Sequence, residues 1–255
     1  MSEHDPLLAD SAGQPWAGRH FEPNPSPDDD GSAPPALLEA IAGFRSGDAD
    51  EVAVLEAFRA SRLLIPLLAE LGEAGVTAGG KRIDKSQELS IVTVSGPDGR
   101  TVLPVFSSVT AMGAWNPLAR PVPAAGPRVA LAAASEGTDL VVLDPTSETE
   151  FALRRPALWA IARQQDWVPS YRSAEIAAEF AASVADEPAV TALVLTAGDP
   201  DARLRGPELR VELTLIPGLE GPQLDGLLSR LSTRWAQSAL IADRVDSLEV
   251  ALRSS

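Results

Sequence analysis

Apolar positions along this chain change period several times, and those changes mark out its elements. After Pro34-Pro35, Leu37, Leu38, Ile41 and Phe44 recur at helical spacing, and proline suits a first helical turn. A second helix is expected to begin at Asp48, which forms a capping-box pattern with Glu51 ahead of Val52, Leu55 and Phe58. Residues 63–68 (Leu-Leu-Ile-Pro-Leu-Leu) read as a strand whose interior Pro66, lacking an N–H, predicts an edge position or a bulge. Residues 88–95 and 100–107 flank the turn Pro97-Asp98-Gly99 and predict an antiparallel hairpin, with Pro104 again predicting an edge or bulge. Ser108 is placed to cap a short helix ending near Trp115, and a longer helix follows Gly126-Pro127 and stops at Gly137. Residues 139–143 read as a short buried strand with 151–153 pairing nearby, and Pro156 opens a helix carrying Leu158, Trp159 and Ile161.

Periodicity breaks around Asp166-Trp167-Val168-Pro169-Ser170-Tyr171, and a domain boundary is expected there. Beyond it come a helix over 174–184, strands over 190–197 and 208–216, a helix from about Pro222 through Trp235, and a terminal strand over 245–252. This order predicts an α+β protein: two mixed or antiparallel sheet domains, each with helices packed mainly on one face. The expected organisation is a tail over 1–33, a first domain over 34–165, a linker over 166–172 and a second domain over 173–255.

Composition sharpens the picture at the N-terminus. Residues 1–33 carry Asp28-Asp29-Asp30, several prolines and almost no aliphatic residue beyond Leu7 and Leu8, so a disordered acidic tail is expected. Trp16 and Phe21 are its only large aromatics. Net charge is −15, and residues 1–51 hold 11 Asp+Glu against 2 Arg, so the tail region supplies most of the excess. That balance disfavours nucleic acid and anionic membrane as partners. No apolar run approaches the roughly 18–20 residues needed to cross a bilayer, and residues 1–33 do not read as an export signal, so the expected location is the cytoplasm.

The residue inventory excludes several chemistries. There is no cysteine, and the two histidines, His4 and His20, both lie in the tail. The body therefore lacks an imidazole or thiol for a nucleophilic triad, for base catalysis near neutral pH or for metal ligation. No cofactor, metal or catalytic residue is expected, and the balance leans away from an enzyme. Gly75, Gly80 and Lys81 imitate a phosphate-binding loop, but Arg82 replaces the required hydroxyl and no helix follows, which makes this a chance match. Asp48-Ala49-Asp50-Glu51 starts like a calcium loop but lacks its glycine. Asp139, Asp144, Glu148 and Glu150 are candidate paired carboxylates by chain proximity alone, with Asp144-Pro145 reading as a strand-ending turn.

Five blocks follow one another along the chain: Arg62-Leu63-Leu64-Ile65-Pro66, Pro97-Asp98-Gly99-Arg100, Leu103-Pro104-Val105-Phe106-Ser107-Ser108, Ala119-Arg120-Pro121-Val122-Pro123 and Leu143-Asp144-Pro145. In this order they resemble the SseB protein family, a bacterial group named for enhanced serine sensitivity. The likeness covers roughly residues 35–165 as the family's N-terminal domain, and residues 173–255 look like its C-terminal domain. Ser107 stands where threonine is more usual, and residues 81–90 match poorly. The resemblance implies a two-domain α+β protein and brings no catalytic residues.

The expected function is that of a cytoplasmic, non-enzymatic interaction or regulatory protein with the N-terminal domain as binding module and another protein as partner. The alternative is a small-molecule sensor or enzyme linked to serine or amino-acid metabolism, using carboxylates with Arg100 or Arg120. Ser107, Ser108, Trp115, Asn116 and Arg120 form the candidate interaction surface, since Trp and Arg dominate interface energetics. The competing reading places Trp115 in the core and Arg120 in a surface salt bridge. Asp98, Gly99, Arg100, Asp144 and Pro145 are expected to be structural turn residues. The sequence sets no oligomeric state.

Overall fold

The computed structural model describes residues 29–69 and 89–254; residues 1–28 of the expected tail, with His4, His20, Trp16 and Phe21, and the loop holding Gly75 and Lys81 lie outside them. Helix α1 (Pro35–Ser46) opens on proline and buries Leu37 and Ile41. Helix α2 (Glu51–Ala60) is capped by Asp50, whose side chain accepts the Ala53 N–H at 3.2 Å. The expected cap at Asp48 is therefore corrected. The amides of Asp48 and Ala49 both donate to Gly43 O and finish α1, so the chain is free to enter a helix only after them.

Strand β1 (Arg62–Ala69) lies between β2 (Leu89–Ile91) and β5 (Arg120–Ala125), antiparallel to both. The hairpin strands β3 (Val94–Ser95) and β4 (Thr101–Val105) continue into a second sheet through β6 (Val141–Leu143) and β7 (Phe151–Leu153). Leu64 and Phe106 exchange backbone hydrogen bonds of 2.8 and 2.9 Å and stitch the two sheets together.

Neither Pro66 nor Pro104 is on an edge strand, and parity explains why both are tolerated. Backbone polar groups of alternate strand residues point to opposite flanks. Leu64 faces Phe106, so Pro66 faces the same flank, where pairing with β2 begins only at Leu67. Pro66 is opposite Pro121, and Leu64 is opposite Pro123, so all three prolines occupy positions where the β1–β5 ladder needs no donor. Pro104 lies between Leu103, which donates to Leu140 O, and Val105, which accepts from Asp144 N, and so faces away from β6. The outer edge of β5 is in turn blunted by Pro121 and Pro123.

Helices α4 (Gly126–Ser135) and α5 (Arg155–Arg163) join α1 and α2 on one face of these sheets, burying Phe58, Leu63, Leu103, Val129, Val141 and Ile161. On the opposite face Val102, Leu140, Val142 and Ala152 pack against Leu204. A short helix α3 (Val109–Trp115) places Met112 beside Leu64 and Phe106.

The C-terminal half follows a 3-10 turn, Ser170–Arg172. Strand β9 (Leu209–Leu215) is central, with β8 (Val190–Ala197) antiparallel and β10 (Leu248–Ser254) parallel to it. The crossover to β10 runs through α7 (Gly221–Gln237) and α8 (Ala239–Arg244). Alternate residues Leu209, Val211, Leu213 and Leu215 are buried against these helices and against α6 (Ala174–Val184), around Phe180 and Leu231. The other face of the sheet carries the ion pairs Arg210–Glu249 and Arg253–Glu212. The expected terminal strand begins three residues late because Ser238 caps α8, accepting the Ile241 N–H, and that helix runs to Arg244. Gly31–Ser255 form one compact unit with mixed α and β structure and helices mainly on one face of each sheet.

Gly126 marks the tightest passage. A Cβ there would stand 2.4 Å from Phe58 O and 2.8 Å from Arg59 Cα, both backbone atoms. Gly126→Ala is therefore expected to destabilise by about 2–3 kcal/mol in urea unfolding. Gly113, in the exposed part of α3, has nothing within 4 Å of such a Cβ. Gly113→Ala should stabilise by about 0.5–1 kcal/mol. Equal effects from the two substitutions would contradict this packing.

Candidate functional site

Strands β4 and β6 run parallel, and their carboxyl ends are tied by Asp144. Its carboxylate, 1% exposed, accepts the Ser107 N–H at 2.8 Å, the Ser107 hydroxyl at 2.6 Å and the Thr149 hydroxyl at 2.8 Å. Asp144 and Thr146 both have positive φ, +44° and +67°, a costly conformation for a β-branched threonine. The Thr146 N–H donates to Glu150 Oε2 at 2.6 Å and Ser147 donates to Asp144 O, which holds the loop in that shape. Asp144, Pro145 and Ser107 are thus fixed by satisfied buried hydrogen bonds.

Ser108 caps α3 by accepting the Ala111 N–H at 3.0 Å. At the other end of the helix, half-buried Trp115 lies over Phe106 with ring centroids 5.2 Å apart. Asn116 Oδ1 accepts the Leu118 N–H, and Arg120 is exposed at the start of β5 with no ion pair among the described residues. The five candidate surface residues therefore do not share one exposed concavity: Ser107 is buried and Arg120 is at the sheet edge. Of the five, only Trp115 lines a groove of about 430 Å³, together with Val94, Pro97, Pro145, Glu150 and Arg203. Groove-lining residues come from four of the elements singled out in the sequence: the hairpin turn, strand β4, Trp115 and the Asp144-Pro145 turn.

A second concavity lies where the C-terminal half meets α2, β7 and α5. Arg154, between β7 and α5, reaches Asp199 at 2.8 Å, Gly206 O at 2.7 Å and Asp246 at 3.2 Å. Arg100 also holds Asp246, at 2.9 Å, and closes on Asp98 at 2.7 Å, so the turn residues Asp98-Gly99-Arg100 anchor the hairpin to this network. Gly99 supplies the positive φ, +81°, that this turn requires.

Beside Arg154 is a cavity of about 40 Å³ lined by Glu51, Glu208, Tyr171, Trp167, Phe151 and Asp199, among others. Burial, reinforced by the charge of Glu208, pushes the Glu51 carboxyl up to about 7, with Arg154 opposing. Burial also raises Glu208, against the Ser170 hydroxyl and the Asp246 amide, which favour its ionised form. Tyr171 is pushed up to about 12 by burial and then by Glu51. Glu208 Oε2 accepts the Asp246 N–H at 2.5 Å, whereas Glu208 Oε1 and Ser170 Oγ are buried without a regular hydrogen bond. Among the described residues there is no cluster of three or more side chains suited to hold a metal ion.

Residues 36–160 match the family model of the SseB protein N-terminal domain. Residues 36–160 are thus similar to an SseB N-terminal domain. No curated protein and no solved structure matched the chain. Most of the Trp115 groove, the Asp144 anchor and Arg154 all fall within the matched stretch, while Tyr171, Asp199, Glu208 and Asp246 come from beyond it. No helix among the described residues is long and apolar enough to cross a membrane.

The seam residues escaped the sequence reading because they are scattered from 51 to 246 and belong to no motif. Glu51 was legible only as a helix-start residue. Arg154 carried one signal: with Arg155 it places charge between buried β7 and Pro156 in the first turn of α5, with no intervening loop to carry it into solvent.

Glu51 gives a pH test with a definite sign. Its carboxyl titrates near 4.5 unfolded and near 7 folded, so the folded state holds the extra proton between those values. Stability is lost as pH rises through that window and stays lower above it. Glu51→Gln removes the loss, so the variant should match the parent at pH 4 and exceed it at pH 8 by up to about 3 kcal/mol. Urea unfolding at both values checks this, and a difference independent of pH would contradict it.

Proposed function

We propose that the chain is a cytoplasmic, non-enzymatic interaction or regulatory protein whose SseB N-terminal domain is the binding module, with residues 173–255 as an SseB C-terminal-type domain. The observation that carries this reading is the groove beside Trp115. Its walls are an indole, two prolines and aliphatic side chains, with Glu150 and Arg203 of opposite charge among its lining residues. Open grooves with an aromatic anchor and a charged rim suit a segment of another protein. The groove is carried by a strained loop, and strain that surrounding bonds maintain is commonly kept where it positions a site. The net charge of −15 disfavours a nucleic-acid partner.

The alternative, a sensor or enzyme of amino-acid metabolism built on Arg100 or Arg120, loses its arginines. Arg100 is engaged by Asp98 and Asp246, and Arg120 is exposed and lines neither concavity.

Affinity capture of the full chain from its own cytoplasm, quantified by mass spectrometry, tests the proposal. Trp115→Ala should reduce recovery of a defined partner by about tenfold or more, the loss usual for a central anchor. Trp115 also packs on Phe106, so Arg203→Glu, at the rim, serves as the second variant. It should weaken the same partner without lowering the melting temperature. Undiminished recovery with both variants would overturn the reading.

A further inference from the structure

Charge pairing in the seam is incomplete. Arg100 and Arg154 are matched to Asp98, Asp199 and Asp246. The terminal nitrogens of Arg154 donate to Asp199, Asp246, Ser247 and Gly206, none of them to Glu51 or Glu208. Glu51 makes no hydrogen bond or ion pair among the described residues, and Glu208 receives one from the Asp246 amide, while its buried Oε1 has only the Ser170 hydroxyl near it and no hydrogen bond of regular geometry. Among the described residues, two carboxylates thus line one cavity with no cation bonded to either, and Arg154 acts on them through its charge alone. Leaving such groups uncompensated costs stability unless something else satisfies them.

We infer that this cavity is a binding site for a primary ammonium group carried on an aliphatic chain. The volume, about 40 Å³, accommodates a small polar head. Trp167, Tyr171 and Phe151 line the cavity and supply apolar wall for the attached methylenes. A divalent metal would want about six oxygen ligands, more than this mainly apolar lining supplies. An ammonium ion, with three donors and one charge, can satisfy Glu208 Oε1 and Glu51 together. The titratable groups facing this position are Glu51 and Asp50 on and before α2, Arg154 before α5, Tyr171 and Arg172 in the 3-10 turn, Asp199 after β8, Glu208 before β9 and Asp246 before β10. Asp50 is matched to Arg172 at 2.6 Å.

The site is independent of the Trp115 groove. The test is calorimetric titration and thermal melting of the full chain at pH 8 with n-butylammonium chloride, against sodium chloride at equal ionic strength and against n-butanol. Only the ammonium should bind saturably and raise the melting temperature. Its affinity should fall about 30-fold at pH 5.5, where Glu51 is protonated. Glu208→Gln, which removes an uncompensated buried charge and should leave the fold at least as stable, should weaken binding about tenfold or more. Nα-acetyl-lysine amide forms the second arm: tighter binding than butylammonium assigns the site to a partner's lysine side chain, and weaker binding assigns it to a free amine. A response that sodium chloride or butanol reproduces, or one unchanged in Glu208→Gln, would overturn the inference.

Discussion

The seam depends on one guanidinium. Arg154 is 9% exposed, and it reaches from the end of β7 to the loop after β8 and to the residue before β10. A charge taken this far from water is tolerated only with full pairing, and here two carboxylates and a backbone carbonyl provide it. Neighbouring arginines extend the tie. Arg155 donates to the carbonyls of Ala242 and Val245 at the end of α8, and Arg172 pairs with Asp50 at the start of α2. Directional polar contacts therefore join the two halves alongside the apolar contacts of Ala202 and Leu204, and they add geometric specificity to that packing.

That geometry also determines where the two concavities lie. On the far side of the Asp144 loop, satisfied hydrogen bonds hold a strained turn and leave an open, aromatic-edged groove. Beside Arg154, the pairing of Asp199 and Asp246 with arginine leaves Glu51 and Glu208 without an ion pair among the described residues, in a pocket lined partly by aromatic residues. One concavity suits a protein segment and the other a small cationic group, and they share no lining residue. The acidity of the chain acts differently at the two scales: the N-terminal region holds most of the excess charge, whereas in the body specific geometry decides which carboxylates are matched.

Much of the fold was legible in the residues. Helix 174–184 and strand 190–197 were placed with correct ends: Ser173 caps the one, and a run of β-branched and aliphatic residues makes up the other. The hairpin at Asp98-Gly99 and the stop at Gly137 follow from local conformational preference, which sequence reports directly. Prolines misled where local reasoning meets strand parity. Pro66 and Pro104 lie in central strands because their missing donors face flanks where no partner needs them, and only the register reveals that. Strand β5 escaped for the same reason, since Pro121 and Pro123 mimic a linker. Trp115 was picked out as a candidate surface residue and Pro145 as a structural turn residue, and both line the groove. Arg154, Asp199, Glu208 and Asp246 were not, because pairing across such sequence distances is a property of the folded chain.

The most direct test of Arg154 as the tie is its replacement by methionine, which keeps the length and removes the charge. Urea unfolding of Arg154→Met at neutral pH should show a loss of about 3–5 kcal/mol, because Asp199 is left buried and unmatched and Asp246 keeps only Arg100. Adding Asp199→Asn and Asp246→Asn to the same chain should recover part of that loss. A single variant within about 1 kcal/mol of the parent, as for an exposed pair, would contradict the account.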